Sequence, residues 1–270
     1  MDITMSAVPL FFRKYGDRPP VLLILHGLFG SSDNWHTLAR RWSEDFTVYA
    51  IDLRNHGQSP HTDAFNYNLM TADVWALMQR NNIGTAYILG HSMGGKVAMK
   101  MALERPQAVD GLIVVDIAPS SYDDAHNQMH RSVFQAFELL DPATLRRRSE
   151  AEAILQSVIS SVGVRRFLLK NLERTPEGSY RWKPNWRVLK AKYHQILAPI
   201  DGMPYLGPVL FLKGALSPYI QEKHRIDIQR LFPKAYIKVV PGAGHWVHAD
   251  RPDLVYQWVR DFVLSNTVPQ

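Results

Sequence analysis

Ser92 lies in Gly90-His91-Ser92-Met93-Gly94, directly after the apolar stretch Tyr87-Ile88-Leu89 and directly before the helix-like run Lys96 to Glu104. A serine in Gly-x-Ser-x-Gly between a strand and a helix is the pattern of a nucleophile held on a sharp turn. The glycines have a steric reason. The serine must take φ above zero, and side chains two residues away on either side would collide there. A pentapeptide of common residues also arises by chance, so the rest of the chain must carry the argument.

A hydroxyl is a poor nucleophile until a base takes its proton, so Ser92 needs a histidine within hydrogen-bond reach. Among eleven histidines, His245 is the best placed. It stands in Pro241-Gly242-Ala243-Gly244-His245-Trp246, after the last strand-like run, where glycines let a loop carry the imidazole back over the sheet edge. His26 also ends a strand-like run. The segment His26-Gly27-Leu28-Phe29-Gly30 is better explained as a loop whose backbone N–H groups face a developing negative charge. The amides of Leu28 and Met93 would be the oxyanion donors, and His26 would hold the loop by hydrogen bonding. His91 is expected to point away from the reacting centre. His56, His61 and His248 are expected to be structural or solvent-facing.

A third group must fix the tautomer of the histidine and stabilise its charged form. The usual place for that acid is after the penultimate strand, where this chain reads Leu212-Lys213-Gly214-Ala215-Leu216-Ser217. A serine stands where the acid is expected. Asp116 ends the preceding strand-like run and would neighbour the Ser92 strand, about 4.8 Å away per strand step. The chain order Ser92, Asp116, His245 matches nucleophile, acid, base. Glu222 and Asp227 stay open as alternatives, and Ser217 is an auxiliary partner for His245 or Asp116. Asp52 to Ser59 reads as a structural turn tied by side-chain to backbone bonds. His126 and His130 are spaced i, i+4, but no glutamate follows as the helical metalloprotease motif requires, so no metal site is expected.

The elements that must position these groups alternate. Val21–Leu25, Phe46–Ile51, Tyr87–Leu89 and Gly111–Val115 are buried-strand patterns, with a helical pattern from Leu69 to Gln79 between the second and third. That alternation predicts a mostly parallel sheet with helices on both faces. Pro119 breaks it, and from there to about Tyr205 the patterns are helical instead of strand-like. Met129, Val133, Phe137 and Leu140 share one face, as do Trp186, Leu189 and Tyr193. The expectation is a core of 1–118 and 206–270 with an inserted helical cap over 119–205. Pro208 to Lys213 and Ala235 to Val240 resume the strands, and Pro252 to Leu264 is the final helix.

Composition limits the alternatives. With 46% hydrophobic and 21% charged residues in 270, the chain is an ordinary globular protein large enough for one α/β domain plus an insertion. Zero cysteines exclude disulfides, a thiol nucleophile and thiolate metal sites. The first fifteen residues lack the basic start and long apolar region of a secretory signal, so a cytoplasmic location is expected. The apolar runs are too short for a membrane span. Net charge is +6, and residues 119–205, with 13 Lys and Arg against 9 Asp and Glu, supply +4 of it. The basic residues are scattered, which argues against nucleic acid. A solvated helix face accounts for them, and attraction of anionic substrates such as coenzyme A esters is the functional alternative.

Together the His26–Gly30 loop, the Asp52–Ser59 turn, the Ser92 elbow, Val114–Pro119 and Gly242–Trp246 resemble the α/β-hydrolase superfamily, and more narrowly the bacterial YbfF-type esterases. The resemblance covers nearly the whole chain. It implies an α/β-hydrolase fold with an eight-stranded, mostly parallel sheet. It also implies Ser92 as nucleophile, Asp116 as acid and His245 as base. Asn55 departs from the superfamily's usual glycine, at little cost, because asparagine tolerates left-handed geometry. Ser217 in place of the late acid is the larger departure. The expected activity is cofactor-independent hydrolysis of a small-molecule acyl ester or thioester. An acyltransferase, a C–C hydrolase or lyase, and a non-catalytic ligand-binding module stay open, because one scaffold carries many functions.

Overall fold

The computed structural model of the chain describes residues 7–123 and 128–267. The strands are β1 (Phe12–Tyr15), β2 (Val21–Leu25), β3 (Thr47–Ile51), β4 (Ala86–His91), β5 (Val109–Val115), β6 (Leu172–Arg174), β7 (Tyr180–Trp182), β8 (Val209–Gly214) and β9 (Ala235–Val240). The helices are α1 (His36–Trp42), α2 (Tyr67–Arg80), α3 (Met93–Glu104), α4 (Gln128–Leu139), α5 (Arg148–Gln156), α6 (Val162–Leu169), α7 (Trp186–Ala191), α8 (Tyr193–Leu197), α9 (Arg225–Leu231), α10 (Val247–Asp250) and α11 (Pro252–Thr267).

Seven strands pair in the order β1-β3-β2-β4-β5-β8-β9. All neighbours are parallel except the edge pair of β1 with β3. The central strands are apolar throughout because both faces are covered. In β2, Leu23 and Leu25 enter the core beneath α2 and α3, while Leu22 and Ile24 enter a second core with Trp35, Trp42 and the α11 residues Val255, Val259 and Phe262. Asn66 accepts a hydrogen bond from the Leu69 amide at 2.9 Å, and this cap starts α2 two residues before the apolar periodicity does.

Parallel pairing brings the carboxyl ends of β2, β3, β4, β5, β8 and β9 to one edge of the sheet. The loops that follow them therefore converge, which is where open α/β sheets build their sites. The Asp52–Ser59 turn is one of these loops. Asp52 accepts the Ser32 amide at 2.6 Å and the Gln58 amide at 2.8 Å. Arg54 makes two bonds to Asp73 of α2, at 2.6 and 2.7 Å, with both side chains fully buried. Removing one partner of such a pair costs about 3–5 kcal/mol, because the other charge is left buried. Asn55 takes φ 64 in this turn, the left-handed geometry for which asparagine is suited.

Two expectations need correction. Seven strands, not eight, form the main sheet among the described residues. Before β1 the Val8 and Phe11 amides donate to the Asp73 and Ser59 side chains, at 2.7 and 2.8 Å, and not to a neighbouring strand. The stretch after Pro119 is also not purely helical. β6 and β7 form an antiparallel hairpin there, in strands of three residues, too short to leave a period-2 signature. Part of the N-terminal stretch, and His126, lie outside the described residues. Among the described residues no helix is long and apolar enough to cross a membrane.

Candidate active site

Ser92 sits between β4 and α3 at φ 52, ψ −118, the strained turn that the glycine spacing predicts. A Cβ on Gly90 would come within 2.2 Å of the Gly94 carbonyl oxygen, and one on Gly94 within 2.3 Å of the Leu25 oxygen. Both positions must therefore be glycine for the turn to close against β2. The turn places Ser92 at the N-terminus of α3, where the helix dipole favours negative charge.

Ser92 Oγ lies 3.0 Å from His245 Nε2, and His245 Nδ1 lies 2.8 Å from Asp116 Oδ2. An Nδ1–H donated to the carboxylate leaves the Nε2 lone pair facing the serine hydroxyl. Asp116 is fully buried, at φ 53, directly after β5. Its other oxygen accepts the Gly214 amide at 3.0 Å, and Ser217 donates its hydroxyl to Oδ2. Three donors thus surround a carboxylate that is fully buried. The Tyr219 ring stacks on the His245 imidazole, with centroids 3.9 Å apart and planes at 19°.

The alternatives for the acid lie elsewhere. Glu222 pairs with Arg225 at 2.8 Å, and Asp227 accepts the Ser120 hydroxyl at 2.6 Å.

His26 is buried with both ring nitrogens engaged. The Leu53 amide donates to Nε2 at 3.0 Å, so Nδ1–H donates to the Gly27 carbonyl at 2.8 Å. Burial lowers its pKa to about 4, against the smaller opposing effect of the Gly27 bond. A neutral imidazole braces the loop. Within that loop Phe29 takes φ 60, unusual for a bulky residue. The buried Asn171 amide donates to the Phe29 carbonyl at 2.7 Å, and Phe134 and Phe137 meet its ring edge-on at 5.2 and 5.3 Å. The amides of Leu28 and Met93 donate to no other backbone group among the described residues.

A cavity of about 340 Å³ opens above Ser92. One wall is Gly27, Leu28, His91 and His245; the other is Met129, His130 and Val133 of α4 with Val164 and Phe167 of α6. Arg166 and Lys170 line it too, with exposed side chains.

The geometry is that of a nucleophile elbow at the carboxyl edge of a parallel sheet. The model of the α/β-hydrolase-fold family matches residues 20–252. This chain belongs to that family. As an α/β-hydrolase it is 42% identical over 258 residues to a Danio rerio protein named sn-1-specific diacylglycerol lipase ABHD11, covering 92% of this chain and 80% of that one. It is 36% identical over 244 residues to Esterase YbfF of Escherichia coli (strain K12), covering 90% of this chain and 92% of the relative. A solved structure named Marine microorganism esterase has a TM-score of 0.93 and 42% identity, covering 95% of this chain and all of that one.

One further histidine of this α/β-hydrolase departs from expectation. His91 does not point away. Its Nε2–H donates to the His245 carbonyl at 2.9 Å, and the two rings are 4.8 Å apart. His56 takes the structural alternative expected for it, fully buried with Nδ1–H donated to the Arg54 carbonyl at 2.9 Å and a pKa lowered by burial to about 3. His248 stacks on Trp35 at 4.2 Å and lines the cavity. His61 keeps a structural contact, 2.8 Å from the Lys183 carbonyl. His130 lines the cavity with Nδ1 2.7 Å from the Tyr193 hydroxyl, and no cluster of metal-ligating side chains is formed among the described residues. Tyr219 and Asn171 carry no sequence signal for their roles, since each acts through a contact more than twenty residues away in the chain.

Proposed function

We propose that this protein is a serine carboxylic ester hydrolase working through an acyl-enzyme, with Ser92, His245 and Asp116 as nucleophile, base and acid. The observation that carries the reading is the continuous relay from Ser92 Oγ to His245 Nε2, 3.0 Å, and from His245 Nδ1 to Asp116, 2.8 Å. His245 takes the hydroxyl proton as Ser92 Oγ bonds to the acyl carbon. The tetrahedral oxyanion is met by the Leu28 and Met93 amides, each worth about 3 kcal/mol in sites of this kind. His245 H⁺ then protonates the leaving alkoxide as the ester C–O bond breaks. Water, deprotonated by the same histidine, hydrolyses the acyl-enzyme and returns the proton to Ser92. Asp116 holds the productive tautomer of His245 and stabilises its imidazolium.

Residues 119–205 act as a cap in this reading, since α4 and α6 supply the second wall above Ser92. That wall is apolar at Met129, Val133, Val164 and Phe167 and suits an acyl chain. The cationic Arg166 and Lys170 suit an anionic leaving group, so acyl-coenzyme A thioesters are included in the substrate class. The names of the esterase and lipase relatives support ester chemistry.

A panel of p-nitrophenyl esters and acyl-coenzyme A thioesters tests the reading. Turnover of at least one class is expected, abolished by Ser92→Ala. Turnover that survives Ser92→Ala, or stoichiometric ligand binding with no hydrolysis of any member, overturns it.

A further inference from the structure

Lys96 lies one helical turn after Ser92 on α3 and is only 1% exposed. Among the described residues it has no carboxylate partner. Its Nζ donates to the carbonyls of Ser120 at 3.0 Å, Leu197 at 3.3 Å and Ala198 at 2.5 Å. It also sits 4.9 Å over the Tyr122 ring. An ammonium has three donors, and all three are used on backbone. A buried cation costs several kcal/mol in desolvation, and an apolar side chain would fill the same space without that cost. The carbonyls therefore give the amine its reason.

Those carbonyls belong to the two ends of one segment. Ser120 lies where the chain leaves the sheet after β5, and Leu197 and Ala198 lie where α8 ends and the chain returns toward β8. The ends also bond each other. The Tyr122 amide donates to the Leu197 carbonyl at 3.0 Å, and the Ile200 amide to the Pro119 carbonyl at 2.7 Å. Lys96 closes this neck from the side of the nucleophile helix. The neck also reaches the base. The Tyr122 hydroxyl donates to the Tyr219 carbonyl at 2.5 Å and accepts the Ala118 amide at 2.9 Å, and Tyr219 carries its ring against His245.

We propose that Lys96 is a positioning residue, holding both ends of the inserted segment on the nucleophile helix and thereby setting where α4 and α6 stand over Ser92. The proposal rests on Ser92 being the reacting group. Lys96 does not line the cavity, so its effect passes through the neck. Burial lowers its pKa to about 7, and the three carbonyls favour the charged form against that cost.

On this reading a long acyl chain packs more of its length on the α4 and α6 wall than an acetyl group does. Loosening the neck should therefore separate the two substrates.

The test compares wild type with Lys96→Met by amide exchange, read by NMR at Tyr122 and Ile200, and by kinetics on p-nitrophenyl octanoate and acetate. Protection at these two amides should fall by about tenfold or more while the β4 and β5 amides hold. KM for the octanoate should rise about tenfold, with kcat/KM for the acetate within about threefold of wild type. Unchanged protection at the neck, or equal losses on both esters, overturns the proposal. A wild type inactive on every ester removes the reading of Ser92 instead, and the exchange data then decide for the neck alone. If Lys96→Met does not fold, Lys96→Gln keeps a donor amide of similar length and removes at least one of the three neck hydrogen bonds. The same split in smaller degree is expected, and its absence overturns the proposal.

Discussion

Ser217 donates its hydroxyl to Asp116 Oδ2, the same oxygen that faces His245 Nδ1. The loop after β8, where an acid is expected from the sequence, thus supplies a hydroxyl to Asp116, the acid of the proposed triad. Because β5 and β8 are hydrogen-bonded neighbours, a carboxylate at the end of either strand can reach the loop after β9. Moving it by one strand keeps the relay and leaves a gap that a hydroxyl fills.

Asp116→Asn should lower kcat by about 10³- to 10⁴-fold, since the amide can no longer hold the productive histidine tautomer. Ser217→Ala removes one of three donors and should cost about tenfold, in the range of a single hydrogen bond to a charged group. Steady-state kinetics on a short-chain ester check both. Near-normal turnover in Asp116→Asn, with the loss found in Glu222→Gln or Asp227→Asn, would move the acid elsewhere.

The buried neutral histidines make stability fall in acid. His26 has its pKa lowered to about 4 and His56 to about 3, both chiefly by burial. The unfolded chain binds these protons near pH 6.5, before the folded chain does, so the stability is present above 6.5 and is lost as pH falls toward 4. Each histidine contributes a slope of at most about 1.4 kcal/mol per pH unit. Melting temperatures between pH 7.5 and 4.5 should show the decline, and His56→Asn should flatten it. An unchanged slope in that variant would rule out His56 as a source.

Gly94→Ala would drive a methyl group to within 2.3 Å of the Leu25 carbonyl oxygen, a backbone atom that cannot turn aside. Loss of at least about 3 kcal/mol is expected, at the large end for single substitutions. Chemical denaturation measures it. A variant of wild-type stability would show that the elbow does not pack on β2 as described.

The grouping of Ser92, Asp116 and His245 in the candidate site was legible in the sequence because a parallel sheet gathers the ends of its strands. Ser92, Asp116 and His245 each follow an apolar run, and so does the His26 loop. What was not legible depends on side chains meeting across the fold. His91 was expected to face away by the alternation of a strand, but that alternation ends at Ser92, whose φ of 52 breaks the pleat. Tyr219 is an ordinary loop residue until its ring is seen on His245. Lys96 opens a helix-like run in the sequence, and its bonds to the carbonyls of Leu197 and Ala198, about a hundred residues on, leave no local signal. The β6–β7 hairpin is too short to announce itself by period.

In the proposed mechanism Ser92 carries the acyl group. Mass spectrometry of the protein treated with a fluorophosphonate, followed by peptide mapping, tests it most directly. One adduct per chain is expected, on Ser92, with loss of ester turnover in proportion to labelling. An adduct on another residue, or full turnover with Ser92 labelled, would contradict it.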